Sequence, residues 1–381
     1  IYRLDNVSGI LPPINWQSDN MYVYYPTLDA YDVYLRPTFS YNKVDGFNPG
    51  IHWNSGYMLD DFYNQYHTTG SIRYRTASTA PEVSFFFETP IDFLGELTHV
   101  FTDFNYSGLY ESFEIGYTSQ IAQGIDLFPY HDISLSLQTS KLNSSQYVPE
   151  WQSWEFGQIQ SLKISHGYYW AKGESSGDYI VDIETSINGS DFNYNQITLT
   201  TLNDLTFILP LNIRTFSGWQ SGSVPSQVSF RLNGASFFNT VQKNWFYSGV
   251  GIFPDDFTEN SRIHSSGGGN IRSEYVITSP LKWMTAVNVQ TDPSSFLENL
   301  SGYDKVMKKL KIQPLVFVNW NYFKNINDET ETIFEAGIGL TRPLTFIPPS
   351  LGEFVIRFDG AVPVWGEDAK KNWVFSLEKA F

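Results

Sequence analysis

The chain has 381 residues, 17% of them aromatic, with 24 Lys plus Arg against 40 Asp plus Glu, a formal net charge of −16 and no cysteine. A hydrophobic content of 41% can bury enough surface to offset ordering entropy, which excludes a disordered chain. The missing cysteine excludes disulfide scaffolds and thiolate metal sites, and the acidic balance argues against nucleic acid as a partner.

The chain opens on Ile1, as expected of a processed or excised form. Residues 1–30, with Leu11-Pro12-Pro13 and Tyr22 to Pro26, read as a linker or docking segment ahead of a 31–381 barrel. No window approaches the roughly 18 consecutive apolar residues of a membrane helix, so any crossing must be made by strands. Strict alternation starts where Val33, Leu35, Pro37, Phe39 and Tyr41 interleave with Tyr34, Arg36, Thr38, Ser40 and Asn42. Asp45-Gly46 predicts a hairpin, and Ile51, Trp53, Ser55 and Tyr57 continue the pattern. Further strands are predicted at about 66–76, 82–89, 96–106, 109–118, 131–140, 158–170, 178–188, 194–201, 205–214, 226–234, 270–280 and 310–322. Long insertions fall at 141–157 and 235–269, and 281–311 reads as a further connection. Only Ser294 to Lys311 has a helical period, and its Lys305, Lys308, Lys309 and Lys311 read as a solvated face.

The last three strands are the clearest. Phe334, Ala336, Ile338 and Leu340 oppose Glu335 and Gly337, while Phe354, Ile356, Phe358 and Val362 oppose Arg357 and Asp359. On the terminal strand Trp373, Phe375, Leu377 and Phe381 share one face, interrupted by Lys379. Alternation alone suits a soluble barrel or sandwich as well. Aromatics clustered at strand ends favour a lipid–water interface, as at Tyr168-Tyr169-Trp170 and Trp245-Phe246-Tyr247. Full charges on the polar faces favour a wet interior, since a packed core holds few of them. The expected lumen-facing charges are Asp182, Glu184, Arg231, Arg272, Glu274, Glu335, Arg357 and Asp359. The predicted fold is all-β, a single antiparallel transmembrane β-barrel of about 16 strands.

Catalytic signals are weak. The histidines at 52, 67, 99, 131, 166 and 264 lack zinc-motif spacing. Gly173-Glu174-Ser175-Ser176-Gly177 fits G-x-S-x-G as a string, but its polar flanks predict a hairpin loop rather than a strand-to-helix elbow. His131 beside Asp132 has no nucleophile paired with it in sequence. Asp60-Asp61 and Asp255-Asp256 read as solvated loop charge, with calcium or bridged lipopolysaccharide as the sharper alternative. Gly267-Gly268-Gly269 reads as a flexible loop end. No enzyme, metal or cofactor is expected in this chain.

The order of features from Pro225 onward resembles the C-terminal barrel of the BamA-type outer-membrane superfamily. Gln227 to Gly234 resembles the strand entering that family's long sixth loop, here 235–269, and Asn270 to Pro280 resembles the strand leaving it. Phe317-Val318-Asn319 is similar to its Phe-x-Asp element, with Asn319 at the acidic position. The family's Arg-Gly-aromatic loop tip has Tyr247-Ser248-Gly249 as its nearest counterpart, so both halves of the family's ion pair are expected to be missing together. The terminal Phe381 resembles the signature read by outer-membrane assembly machinery. The resemblance implies the outer membrane of a Gram-negative bacterium, contact with its lipids and lipopolysaccharide, and a role as a membrane anchor or translocation-type barrel. It also allows an upstream or periplasmic domain, such as a metallopeptidase to which this would be the C-terminal module. A passive pore or nutrient channel, and a surface adhesin or enzyme acting through the long loops, remain open alternatives.

Overall fold

The computed structural model describes residues 14–17, 31–42, 44–58, 65–91, 97–108, 110–122, 129–144, 155–206, 210–234, 236, 264, 267–275, 280–294, 309–343, 354–366 and 368–379. Its strands run in chain order. The first half holds β1 (Ile14–Gln17), β2 (Tyr31–Asn42), β3 (Gly46–Met58), β4 (Gln65–Arg75), β5 (Ala80–Pro90), β6 (Leu97–Tyr106), β7 (Tyr110–Ala122), β8 (Tyr130–Leu142) and β9 (Gln158–Lys172). The second holds β10 (Ser175–Ser186), β11 (Tyr194–Thr206), β12 (Pro210–Gly222), β13 (Leu281–Thr291), β14 (Gln313–Asn325), β15 (Thr330–Pro343), β16 (Phe354–Trp365) and β17 (Asn372–Lys379). All belong to one 17-stranded sheet. From β2 to β17 each strand pairs antiparallel with the next, a barrel-like meander, and β1 lies parallel to β2 with Ile14 opposite Tyr31.

Strand length suits a bilayer. β9 has 15 residues and β6 has 10, where about 9–11 tilted residues cross the hydrocarbon layer. On β8 Ile133, Leu135 and Leu137 are exposed, while Ser136 and Ser140 between and beyond them are buried. On β15 Ile338 is 70% exposed and Glu335 0%. On β16 Phe358 and Val362 point out while Arg357 and Asp359 are buried. A water-soluble core buries its apolar set and shows its charges, so this inverted distribution is that of a barrel whose outer face meets lipid.

Turn chemistry fixes the hairpins. Gly173-Glu174 is the whole connection between β9 and β10, and Gly173 takes a φ of +63°, a conformation that suits glycine. The G-x-S-x-G string is therefore a hairpin, with no helix following it. At the opposite rim the first two tips are pinned together, Ala77 N donating to Asp45 O at 2.8 Å and Arg75 Nη1 to Asp45 Oδ1 at 3.2 Å.

Four predictions need correction. The stretches 226–234 and 270–280 are not wall strands and lie within the connection 223–280 between β12 and β13. The strand predicted at 205–214 straddles a turn, because β11 continues to Thr206 and β12 starts at Pro210. A wall strand, β13, occupies 281–291, where the sequence predicts a connection, so that connection is 292–312. Long and short connections share a rim, 143–157 and 223–280 standing with the tight 43–45 and 107–109 turns.

Candidate functional site: the connection packed inside the barrel

The two described ends of the 223–280 connection lie side by side in the interior. Gly269 N donates to Arg231 O and Ile271 N to Leu232 O, both at 2.8 Å. This pairing explains why both stretches alternate in sequence although neither joins the wall. Gly268 sits in the crook with φ +45°, and a Cβ there would meet Arg231 O at 2.2 Å. Backbone cannot yield to it, so the glycine run read as flexible is a close-packing requirement.

Below this pair lies an apolar layer. Phe230, Leu232 and Ile271 of the connection pack with Phe216 of β12, Leu281, Met284 and Ala286 of β13, Phe323 of β14 and Ile333 of β15. Phe216 and Phe230 meet edge-on at 5.8 Å, and Tyr275 meets Phe323 the same way at 6.0 Å. Burying an apolar side chain of this size contributes roughly 1.5–3 kcal/mol, so the three from the connection offset part of the entropy lost in ordering it.

Beside the apolar layer is a buried polar cluster. Arg272 Nε donates to Asp359 Oδ2 at 2.5 Å, and Arg357 Nε donates to the same oxygen at 2.7 Å. The Arg272 guanidinium also lies 4.4 Å over the Phe317 ring, within cation–π range. Glu335 Oε1 accepts from Arg272 N at 2.8 Å and Asn319 Nδ2 at 2.5 Å. Its Oε2 accepts from Ser273 N at 2.7 Å and from the Ser273 hydroxyl. Four donors satisfy this fully buried carboxylate, the condition for holding such a charge without water. Asn288 Nδ2 of β13 bridges Gly269 O and Asn319 Oδ1, each at 3.1 Å, and Arg214 Nη1 of β12 reaches Gly268 O at 2.8 Å. At the far side His264 Nε2 lies 2.8 Å from Asn270 Oδ1, and its backbone N donates to Phe375 O on β17.

The sequence-predicted residues fall into several places. Arg272, Glu335, Arg357, Asp359, Phe317 and Asn319 come together in this cluster. The loop-tip positions of the expected missing ion pair lie outside the described residues, and a different pair occupies this place. An arginine does cover Phe317, and its carboxylate is Asp359 on β16, which leaves Asn319 to donate to Glu335. Arg231 belongs to the connection, where burial pushes its guanidinium down to about 10. Glu274 exchanges backbone hydrogen bonds of 3.0 and 2.9 Å with Lys370. Asp182 and Glu184 stand apart on β10, with Lys163 Nζ 3.7 Å from Asp182 and the Tyr194 hydroxyl donating to Glu184 at 2.5 Å. Trp373 stacks on Phe358 at 5.4 Å on the outer face. Tyr247, Ser248, Gly249, Asp60-Asp61, Asp255-Asp256 and the side chains of Leu377 and Phe381 lie outside the described residues, as does most of 294–311.

Sequence reasoning misses Arg214, Asn270, Ser273 and Asn288. The strand bearing Asn288 falls where a connection is predicted, and no spacing rule links residues that meet across 16 to 87 positions of chain. For metals the geometry is poor. His131 and His166 lie 3.0 Å apart on the outer face, but no group of three metal-binding side chains exists among the described residues.

No protein-family model matches the chain, and no curated protein matches it in sequence. Among solved structures it is similar to BamA from Haemophilus ducreyi lacking POTRA domains 1–3, at 13% identity and a TM-score of 0.44, covering 92% of this chain and 73% of that one. It is also similar to a doubly substituted form of OccD1 (OprD), at 9% identity and a TM-score of 0.31, covering 86% of this chain and 88% of that one.

Proposed function

We propose that the chain is an outer-membrane β-barrel of anchor or translocation type, filled along one side of its interior by the stretches 223–234 and 267–275 of its own β12–β13 connection. The carrying observation is Arg272, buried between Asp359 and Phe317 at the wall. A connection tethered there by charge-assisted hydrogen bonds and an apolar layer occupies space that a passive pore leaves to water. The exposed apolar face of β8, β15 and β16 supports contact with membrane lipid and lipopolysaccharide. The apolar set of the terminal strand, Trp373 and Phe375, supports recognition by barrel-assembly machinery. No catalytic step is assigned to these residues; an attached metallopeptidase-type module would carry its own chemistry.

Planar-bilayer recording tests the reading. The intact chain should conduct poorly, and Gly268→Val, which forces a side chain into Arg231 O, should raise conductance severalfold with the barrel still folded. High conductance in the unaltered chain would favour the nutrient-channel alternative. A polar cavity against the opposite wall supports that second reading.

A further inference from the structure

The wall opposite the packed connection has a feature that the anchor reading leaves unused. A cavity of about 410 Å³ lies against the inner faces of β3 to β7, lined among others by His52, Arg73, Glu82, Phe86, Asp103 and Tyr110. Cross-strand register orders the charges around it. Arg36 stands opposite His52, Arg73 opposite Glu82, and Asp103 opposite Glu114. Guanidiniums thus sit on β2 and β4, and carboxylates on β5, β6 and β7. Arg73 and Glu82 meet at the boundary through one 2.8 Å hydrogen bond, while Arg73 Nε and Glu82 Oε2 have no hydrogen-bond partner. The two groups are therefore joined singly rather than as a fork, and both retain unspent hydrogen-bonding capacity.

Separated charges in a confined, partly desolvated space create a field across the cavity, and a dipole aligned with that field gains energy from both ends. A solute with only one sign of charge meets repulsion from one side. We propose that this cavity binds a small zwitterion of amino-acid or dipeptide size, its carboxylate toward Arg73 and its ammonium toward Asp103, with Arg36 and Glu114 on the neighbouring strands reinforcing the two poles from behind the lining residues. Phe86 and Tyr110 supply apolar surface for the intervening carbons. The proposal rests on the barrel reading but not on the seating of the connection, since occupancy requires no conduction.

The test is calorimetric titration of the full chain in lipid nanodiscs with glycylglycine. Saturable binding is expected, with N-acetylglycine, glycinamide and glucose about tenfold weaker or silent, the loss of roughly one charge-assisted contact. The paired exchange Arg73→Glu with Glu82→Arg keeps an ion pair but reverses the local field, and should weaken glycylglycine about tenfold. Glu114→Gln, at a position outside the ion pair, should weaken it severalfold and serves if the exchanged protein fails to fold. Absence of saturable binding, equal binding of glucose or of the singly charged probes, or unchanged affinity in folded variants would overturn the proposal. Failure to insert into lipid would instead overturn the barrel reading itself.

Discussion

Asp359 serves two guanidiniums, one from the inserted connection and one from its own strand, and is 1% exposed. Arg272→Met deletes one partner while Arg357 remains, and Asp359→Asn leaves two arginines facing a neutral amide. Breaking a buried pair costs about 3–5 kcal/mol, and the remaining arginine should keep the Arg272→Met cost at the lower end. The double variant should be milder than the sum of the singles by about 1–3 kcal/mol, because the two residues share one interaction. Urea unfolding in micelles measures all three, and simple additivity would show that the contact carries no coupling. At the β14–β15 turn, Asp328 Oδ1 lies 2.8 Å from Lys324 Nζ and 3.2 Å from Lys282 Nζ, and these ammoniums hold its carboxyl below the ordinary 3.8. A lowered acid contributes above its unfolded pKa and loses that contribution as the pH falls through the lowered value, so the window lies below about pH 4. NMR titration should find the Asp328 midpoint under 3.8 and, in Lys324→Gln, moved up toward it. Asp328 is fully exposed, so the consequence is a shifted midpoint with little effect on folding.

For single strands, legibility follows what each face touches. β15 and β16 are readable because Ile338 and Phe358 meet the outside while Glu335 and Asp359 meet a polar cluster, so the two faces differ in chemistry. β13 is not, since Met284 and Ala286 face the apolar layer of the connection while Trp283, Val287 and Val289 occupy the other face. With grease on both sides, period two disappears from the sequence. The same layer misleads in the other direction, giving Phe230, Leu232 and Ile271 a strand-like pattern inside a connection. The cluster is legible only as isolated charges, because which carboxylate Arg272 meets depends on a loop path that no local pattern encodes. Facing is testable on β8, where Leu135 is exposed and Ser134 lies on the inner-facing set with the buried Ser136. Leu135→Arg should cost roughly 2–4 kcal/mol at the bilayer midplane, and Ser134→Arg much less. Equal costs measured by refolding into liposomes would overturn the facing assignment. Asp359 is a poor inner-face control, since an arginine there would confront Arg272 and Arg357.

Across the whole molecule, two unlike halves share one sheet. The wall from β12 to β17 closes on protein, and the wall from β3 to β7 closes on a polar cavity. Limited proteolysis reads this division directly: in lipid, the stretches 223–234 and 267–275 should resist cleavage in the unaltered chain and become susceptible in Gly268→Val, with the strands protected in both. Arg272 and Asp359 are 87 positions apart, and β13 through β15 lie between them in the chain. Loop closure over such a span is slow to be rewarded, because its entropy is lost before the contact forms. The connection has no inner surface to rest on until those strands are in place, while Met284, Phe323 and Ile333 lack their covering until it arrives. Assembly of the C-terminal strands and entry of the connection are therefore a single kinetic event, and a chain stalled before it would display a greasy interior to whatever else is folding nearby.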